Sequence, residues 1–333
     1  MGRPTDASRS DTCIERKGEV ISAGAAAWSG ARSWSVEIAP DDWRSVTAGQ
    51  VIAVPRRIGG PVSETLRGFD AKSTYDEASR DYEDAARDFW QYISLRTVER
   101  LGVRAGERVL DVPCGTGASA VLAARQVSPG GAVVGIDYAE QMVAIAEEKA
   151  LSAGLANVQL SVADMTTLDR SGLEPFDAVV CSLGLFFSDD MPGLLRSLFG
   201  LLRGGGRIGV AVFGEHVFDP MRQVFVEAVA ELAPEVEVLQ PWRRTEDVSV
   251  LRDLFEAAGI PEVDIVTEDD RLPLRSPQDW WRIIMGSGFR RTVTALDDTT
   301  AGRLRERCDA YIEDHGVDSI VNRTRYAVAR AER

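Results

Sequence analysis

Histidine is nearly missing from this chain, with two among 333 residues, and there are only four cysteines. Cys13, Cys114, Cys181 and Cys308 lie far apart and form no Cys-x-x-Cys pair. Neither a metal centre nor a disulfide framework is therefore expected. Basic charge is also short: 38 Lys plus Arg stand against 52 Asp plus Glu, a formal net charge of −14. Such a chain repels polyphosphate backbones and anionic lipid surfaces, which argues against nucleic-acid and membrane partners. No apolar run approaches the roughly 18 residues of a membrane span. The opening residues 1–18 carry charges without the apolar core of a secretory signal. The expectation is a reduced, cytoplasmic protein whose partner is a small molecule, with oligomeric state left open.

What is present is ordinary for a globular chain, with 44% hydrophobic and 27% charged residues. Residues 1–62 stand apart. They hold Trp28, Trp34 and Trp43 without sustained periodicity and end in Pro55 and Gly59-Gly60-Pro61. They read as an N-terminal extension, weakly ordered or a small appended element. Residues 63–333 read as one α/β domain that opens with a helical cap over 63–104. Within that cap Phe89, Trp90, Tyr92, Ile93, Leu95 and Val98 form a helical apolar stripe. Strands are then predicted at 108–112, 132–136, 158–162, 176–181, 207–213, 263–266 and 325–331. Helices are predicted between them at 118–126, 139–153, 191–202 and 251–258. Alternation at this spacing predicts a parallel, doubly wound sheet covered on both faces.

The most informative segment is Val109-Leu-Asp-Val-Pro-Cys-Gly-Thr-Gly117, a strand running into a glycine turn and a helix. Gly115, Gly117 and Ala120 satisfy G-x-G-x-x-A, and Asp137 follows at the next strand end, which is also the dinucleotide fingerprint. Charge separates the candidate cofactors. A dinucleotide sets its pyrophosphate at the glycine turn, where the carboxylate of Asp111 would repel it. S-adenosylmethionine has no phosphate and carries a sulfonium and an ammonium. Two unit charges about 4 Å apart at an effective dielectric near 20 interact by about 4 kcal/mol before desolvation, enough to choose. Asp137 would accept from the ribose hydroxyls, and Asp164, at the third strand end, from an adenine amino group beside Met165. A strand-end Asp is also a common helix N-cap, but here three successive strands end in one.

On these residues the sequence resembles a class I S-adenosylmethionine-dependent methyltransferase. The motifs are VLDVPCGTG at 109–117, GID at 135–137, VADM at 162–165, FDAVVCSLGLFF at 176–187 and LLRGGGRIGVAVFG at 201–214. They look most like the broad small-molecule group that includes ubiquinone and menaquinone biosynthesis enzymes. The resemblance implies a seven-stranded, Rossmann-like sheet whose last strand is antiparallel between the fifth and sixth. It also implies cofactor contacts from Tyr75, Asp111, Pro113, Gly115, Gly117, Asp137, Tyr138, Met142, Asp164, Met165, Cys181 and Ser182. Pro113-Cys114 departs from the commoner small residue and glycine, and Cys114 reads as a small loop residue. No Asn/Asp-Pro-Pro-Tyr motif is present, which argues against methylation of exocyclic amino groups. The alternatives are an NAD(P)-dependent oxidoreductase and a cofactor-binding protein without turnover.

For the acceptor, Tyr75 and Tyr82 resemble the tyrosines of a lid helix. Phe186 and Phe187 fall where the loop after the fourth strand borders the transferable methyl. A helical lid insertion is expected over 271–318, with Trp280 and Trp281 on different helix faces. Trp281 and Met285 are read as acceptor contacts, hence an apolar or aromatic acceptor. His216 is the candidate general base, while His315, before Gly316, suits a helix C-terminus. In-line alignment alone can supply much of the rate of a methyl transfer.

Overall fold

Arg108-Val-Leu-Asp111 is only four residues long, with three of them buried, so it holds as a strand only between neighbours on both sides. That fixes it at the middle of the sheet. The computed structural model describes residues 70–85, 87–168 and 173–333. The expected 1–62 extension and the start of the helical cap lie outside the described residues. In chain order the elements are α1 (Ala71–Ala85), α2 (Arg87–Leu101), β1 (Arg108–Asp111), α3 (Ala118–Val127), β2 (Ala132–Asp137), α4 (Glu140–Ser152) and β3 (Val158–Val162). There follow β4 (Phe176–Ser182), α5 (Met191–Phe199), β5 (Leu202–Phe213), α6 (Met221–Leu232), α7 (Val248–Ala257) and β6 (Val263–Pro273). The chain ends with α8 (Pro277–Met285), α9 (Arg290–Thr294), α10 (Asp298–His315) and β7 (Ser319–Arg330).

The sheet order is β3-β2-β1-β4-β5-β7-β6. Strands β1 to β5 pair in parallel, and β7 runs antiparallel to both β5 and β6. This is the doubly wound sheet that the motifs implied. The chain winds outward from β1 in both directions, so a crevice opens at the carboxyl ends of β1 and β4. One face is covered by α2 and α3, where Ala120, Ala123 and Ala124 let the helix sit close against Val109 and Val133. The other face carries the larger core, with Val179, Leu195, Ile208, Val210, Phe225 and Phe255 buried together.

Three predicted strands come out much longer, β5 because it begins at Leu202 instead of residue 207. β6 extends to Pro273 and β7 begins at Ser319, so the helical insertion starts at residue 274 instead of 271. The added residues alternate charge across the ladder: Asp269 lies opposite Arg323 and pairs with it. Polar cross-strand pairing stabilises a ladder without an apolar signature. The last insertion helix, α10, ends as its sequence predicts: Gly316 caps it at φ 59°, and His315 stacks on Tyr311.

Arg207, on β5, is buried and closes the lower end of the sheet. Its Nε donates to the carbonyl of Leu101 at 2.6 Å, and its Nη atoms reach the Glu107 carboxylate at 2.9 and 2.7 Å. Burial alone would raise the pKa of Glu107, but the Arg207 hydrogen bonds, the Arg104 N–H and the charges of both arginines together outweigh it and hold that carboxyl below its ordinary value. Removing the cation strands a carboxylate that is 13% exposed. Arg207→Met is expected to cost about 3 kcal/mol or more at neutral pH, measured by denaturant unfolding. Because the Glu107 pKa is depressed, its contribution is present above the unfolded value near 4.3 and fades as the pH falls through the folded one. The gap between parent and variant should narrow in acid.

Candidate active site

Between β1 and α3 the backbone turns on two glycines in the left-handed region, Gly115 at φ 51° and Gly117 at φ 81°. Gly117 has a second constraint, since a Cβ there would stand 2.9 Å from the Cβ of Ala146 on α4. A Cβ on Gly115 would meet nothing within 4 Å, because this residue faces an open cleft. Asp137 pins the turn. Its Oδ2 accepts from the Gly115 N–H at 2.8 Å and its Oδ1 from the Ala139 N–H at 2.9 Å. Burial raises the pKa of this carboxyl, and the N–H groups of Ala139 and Gly115 partly restrain the rise. Each oxygen retains acceptor capacity beyond these bonds.

Asp164 caps the turn Met165–Thr167, accepting from the Thr166 N–H at 2.8 Å and its hydroxyl at 2.7 Å. Helix α1 lies across these turns. Asp76 accepts from the Gln141 N–H at 2.8 Å, and Glu83 accepts from the Thr116 hydroxyl at 2.6 Å and from Lys149 at 2.7 Å. On its far side Asp81 pairs with Arg290 of α9. Helix α1 is thus tied to the glycine turn, to α4 and to the insertion.

Under it runs a cleft of about 1340 Å³, its open mouth included. One end is polar, lined by Lys72, Pro113, Gly115, Asp137, Tyr138, Met142, Asp164 and Met165. The other is aromatic, lined by Trp90, Phe186, Phe213, Phe218 and Trp242, with Ser94 and Ser287. Tyr75, Phe187 and Ser182 line the span between, and Tyr75 meets Phe187 edge-on at 5.6 Å. Burial, with the charge of Asp137, pushes the Tyr75 hydroxyl further from ionisation. Two residues on the lining, Leu183 (φ 56°) and Phe218 (φ 67°), hold positive φ without being glycine.

A family profile described as a methyltransferase domain matches residues 104–257. The chain is 31% identical over 221 residues to nocamycin O-methyltransferase of Saccharothrix syringae, covering 61% of this chain and 76% of that protein. The chain belongs to the class I S-adenosylmethionine-dependent methyltransferases. S-adenosylmethionine is the cofactor, and the activity is methylation of a small molecule. Aklanonic acid methyltransferase DauC of Streptomyces sp. (strain C5) is 36% identical over 134 residues, 40% of this chain and 60% of that one. Ubiquinone/menaquinone biosynthesis C-methyltransferase UbiE of Pasteurella multocida (strain Pm70) is 34% identical over 130 residues, 39% of this chain and 48% of that one. The chain thus spans half to three-quarters of these relatives, and its family leaves no support for the dinucleotide alternative.

Within this methyltransferase the residues expected from sequence divide into three groups. Tyr75, Pro113, Gly115, Asp137, Tyr138, Met142, Asp164, Met165, Ser182, Phe186 and Phe187 all line the one cleft. Asp111, Gly117 and Cys181 do not; they lie behind the turn, Asp111 and Cys181 fully buried. Burial pushes the Cys181 thiol up to about 12. The third group lies elsewhere and corrects the expectation. Trp281 and Met285 are off the cleft: the buried stripe of α8 is Trp280, Ile283 and Ile284, and Trp281, one residue on, turns outward beneath Arg305. His216 is off it too, with a side chain 63% exposed and Nδ1 3.0 Å from Asp219. Sequence reasoning missed Trp90, Phe213, Phe218 and Trp242 as cleft residues.

Asp111 is 0% exposed, and only the Ala120 N–H at the start of α3 acts on its carboxylate, too loosely for a full hydrogen bond. Burial, reinforced by the charge of Asp137, holds its pKa well above the ordinary value. A raised carboxyl pKa means ionisation opposes folding. Stability is lost as the pH climbs from the unfolded value near 3.9 toward the folded one. Asp111→Asn, which mimics the neutral acid, should therefore raise the melting temperature of the ligand-free protein at pH 7 and give little gain at pH 4. Thermal scans at the two pH values check this.

Proposed function

We propose that this methyltransferase acts on an apolar or aromatic small molecule held in the aromatic end of the cleft, by in-line displacement without a protein base. The observation that carries the reading is one continuous cleft that joins a polar end at the glycine turn to an end walled by aromatic rings. Nocamycin O-methyltransferase and aklanonic acid methyltransferase, two of its relatives, have names in keeping with small organic acceptors.

S-adenosylmethionine, when bound, supplies an electrophilic methyl group on a sulfonium. The chain's own residues hold and orient. Asp137 has lone pairs left for ribose hydroxyls, and Asp164 stands where it can accept from an adenine amino group. Tyr138, Met142 and Met165 offer flat or apolar surface at the same end. The turn 113–117, bare of a side chain at Gly115, lets the backbone approach the cofactor. Asp111, Gly117 and Cys181 support that turn from behind, and Tyr75 with Phe187 narrows the mouth and excludes water. The cofactor carries positive charge, so the buried carboxylates around it gain from its presence.

Among the described residues that line the aromatic end there is no carboxylate, imidazole or lysine. Rate then comes from alignment of nucleophile, methyl and sulfur, and the pH dependence of turnover should follow the acceptor's own ionisation. A cytoplasmic location belongs to the same reading, in keeping with Cys114, Cys181 and Cys308, which are buried and unpaired.

A panel of flat phenols and aryl carboxylic acids, set against sugars and amino acids of similar size, tests the acceptor class by product mass. Product from the polar set alone would sink the reading. Asp137→Ala should weaken S-adenosylhomocysteine binding by roughly tenfold or more, since it removes charge-assisted hydrogen bonds to a ligand. Calorimetry reads the affinity, and a melting curve of the variant shows that the loss is not global unfolding.

A further inference from the structure

Three consecutive residues of α1 face three different parts of the molecule. Successive positions on a helix turn by about 100°, and Asp81, Tyr82 and Glu83 use that turn in full. Glu83 accepts from the Thr116 hydroxyl of the glycine turn at 2.6 Å. The Tyr82 ring lines the cleft and stacks on Trp90 at 5.1 Å and 6°. Asp81 pairs with Arg290 at 2.5 Å, and that guanidinium also donates to the carbonyl of Met285 at 3.3 Å. Backbone packing reinforces this last tie. A Cβ on Gly286 would stand 3.0 Å from the Asp81 carbonyl oxygen and 3.1 Å from the Tyr82 Cα, so the turn after α8 rests directly on α1. The same turn reaches the aromatic end, where Ser287 and Gly288 line the cleft and buried Phe289 stands 5.2 Å from Trp242.

Little apolar burial holds α1 itself. Among its described side chains Ala78 is the one buried hydrophobic, and its other anchors are the half-buried rings of Tyr75 and Tyr82 and the polar ties of Asp76, Asp81 and Glu83. Elements held in this way open at low free-energy cost. Lys72 and Tyr75 of α1 line the same cleft as Gly115 and Asp137 of the turns beneath it, so a cofactor in the polar end bridges helix and turns and steadies one against the other. We propose that Asp81 and Gly286 are positioning residues, through which cofactor binding at the glycine turn fixes the insertion turn 286–290 and with it one wall of the acceptor end. Only the last step rests on the reading above, that the aromatic end receives the acceptor. Coupling of this kind is reciprocal, so an acceptor seated against Ser287 and Gly288 tightens the hold on the cofactor by the same factor.

The test is hydrogen–deuterium exchange on the full chain, read by mass spectrometry with and without saturating S-adenosylhomocysteine. Exchange should slow in α1 and in the glycine turn, and also, by about tenfold, over 284–294, which lies outside the polar end. D81N and G286A should keep the first two effects and lose the third. The Asp81 side chain is 49% exposed, so D81N leaves the core untouched and decides alone if G286A melts early. No slowing over 284–294 in the unaltered chain, or undiminished slowing there in D81N, overturns the proposal. The affinity of 1-naphthol supplies a second readout. It should rise about tenfold when S-adenosylhomocysteine is bound, and hardly at all in D81N. An affinity indifferent to the cofactor in the unaltered chain would overturn the proposal too. If 1-naphthol does not bind at all, the apolar-acceptor reading falls, while the exchange result still decides the coupling.

Discussion

The carboxylate of Asp137 fastens two strand-to-helix turns to each other, and the geometry of the cofactor end follows from that bond pair. Neither α3 nor α4 is capped by a side chain at its own N-cap position, where Gly117 and Ala139 stand. Away from the cleft the pattern is different: α5, α7 and α10 are each capped by their own aspartate, Asp190, Asp247 and Asp297. At the cleft the turns that lead into these helices, and the first turn of α4, are held from elsewhere in the chain. Asp137 serves Gly115 and Ala139, and Asp76 of α1 serves Gln141 at the start of α4. An uncapped helix start leaves backbone donors unsatisfied, so α4 gains its first-turn cap only when α1 is docked. The position of α1 and the geometry of the polar end are therefore one problem in this fold.

Electrostatics at the same end pull in one direction. Asp111 and Asp137 are both buried, and each is held toward its neutral form by burial. The nearest cations are committed elsewhere, Lys149 to Glu83 and Lys72 to Asp76 and Glu140. A site with surplus buried acid and few free cations rejects a pyrophosphate and favours a cation. Asp111 acts in this through the turn and not by contact, since it lies behind Cys114 and Gly115. Its charge is felt because the intervening medium is protein and not water.

The sheet and the polar end were legible in the sequence because each of their parts is a contiguous segment. A strand ending in Asp followed by glycine, or by a short turn, fixes both the element and its position at the carboxyl edge, so 109–117, 135–137 and 162–165 can be read one at a time. The aromatic end is assembled differently. Trp90 comes from α2, Phe213 from the end of β5, Phe218 from the turn after it and Trp242 from the segment before α7. Each looks locally like ordinary packing, and only the tertiary fold brings them together. Two of the three residues that fall off the cleft, Trp281 and His216, show the same limit at finer grain. On α8 a shift of one position rotates a side chain by about 100°, which separates the core-facing Trp280 from Trp281. In the turn after β5 the chemistry of His216 drew attention, yet it is Phe218 that faces the cleft. Backbone at φ 67° turns that ring inward, and no residue pattern announces a bulky side chain in the left-handed region.

That strained turn also explains how one scaffold separates its two tasks. A left-handed conformation costs a non-glycine residue roughly 1–2 kcal/mol, and it persists only where surrounding contacts over-determine it. Phe218 meets that condition, packed within 6.4 Å of Phe89, Phe213, Trp242, Trp280 and Phe289. Leu183 satisfies it differently: its N–H continues the β4–β5 ladder by donating to Ala211 at 2.9 Å. The polar end is thus set by backbone turns between parallel strands, which can change little without undoing the sheet. The aromatic end is set by side chains that lean on one another, which can be exchanged for others of similar volume while the strands stay in register. On the proposed reading, acceptor preference follows the ring cluster around Phe218 and cofactor preference the turns that Asp137 holds.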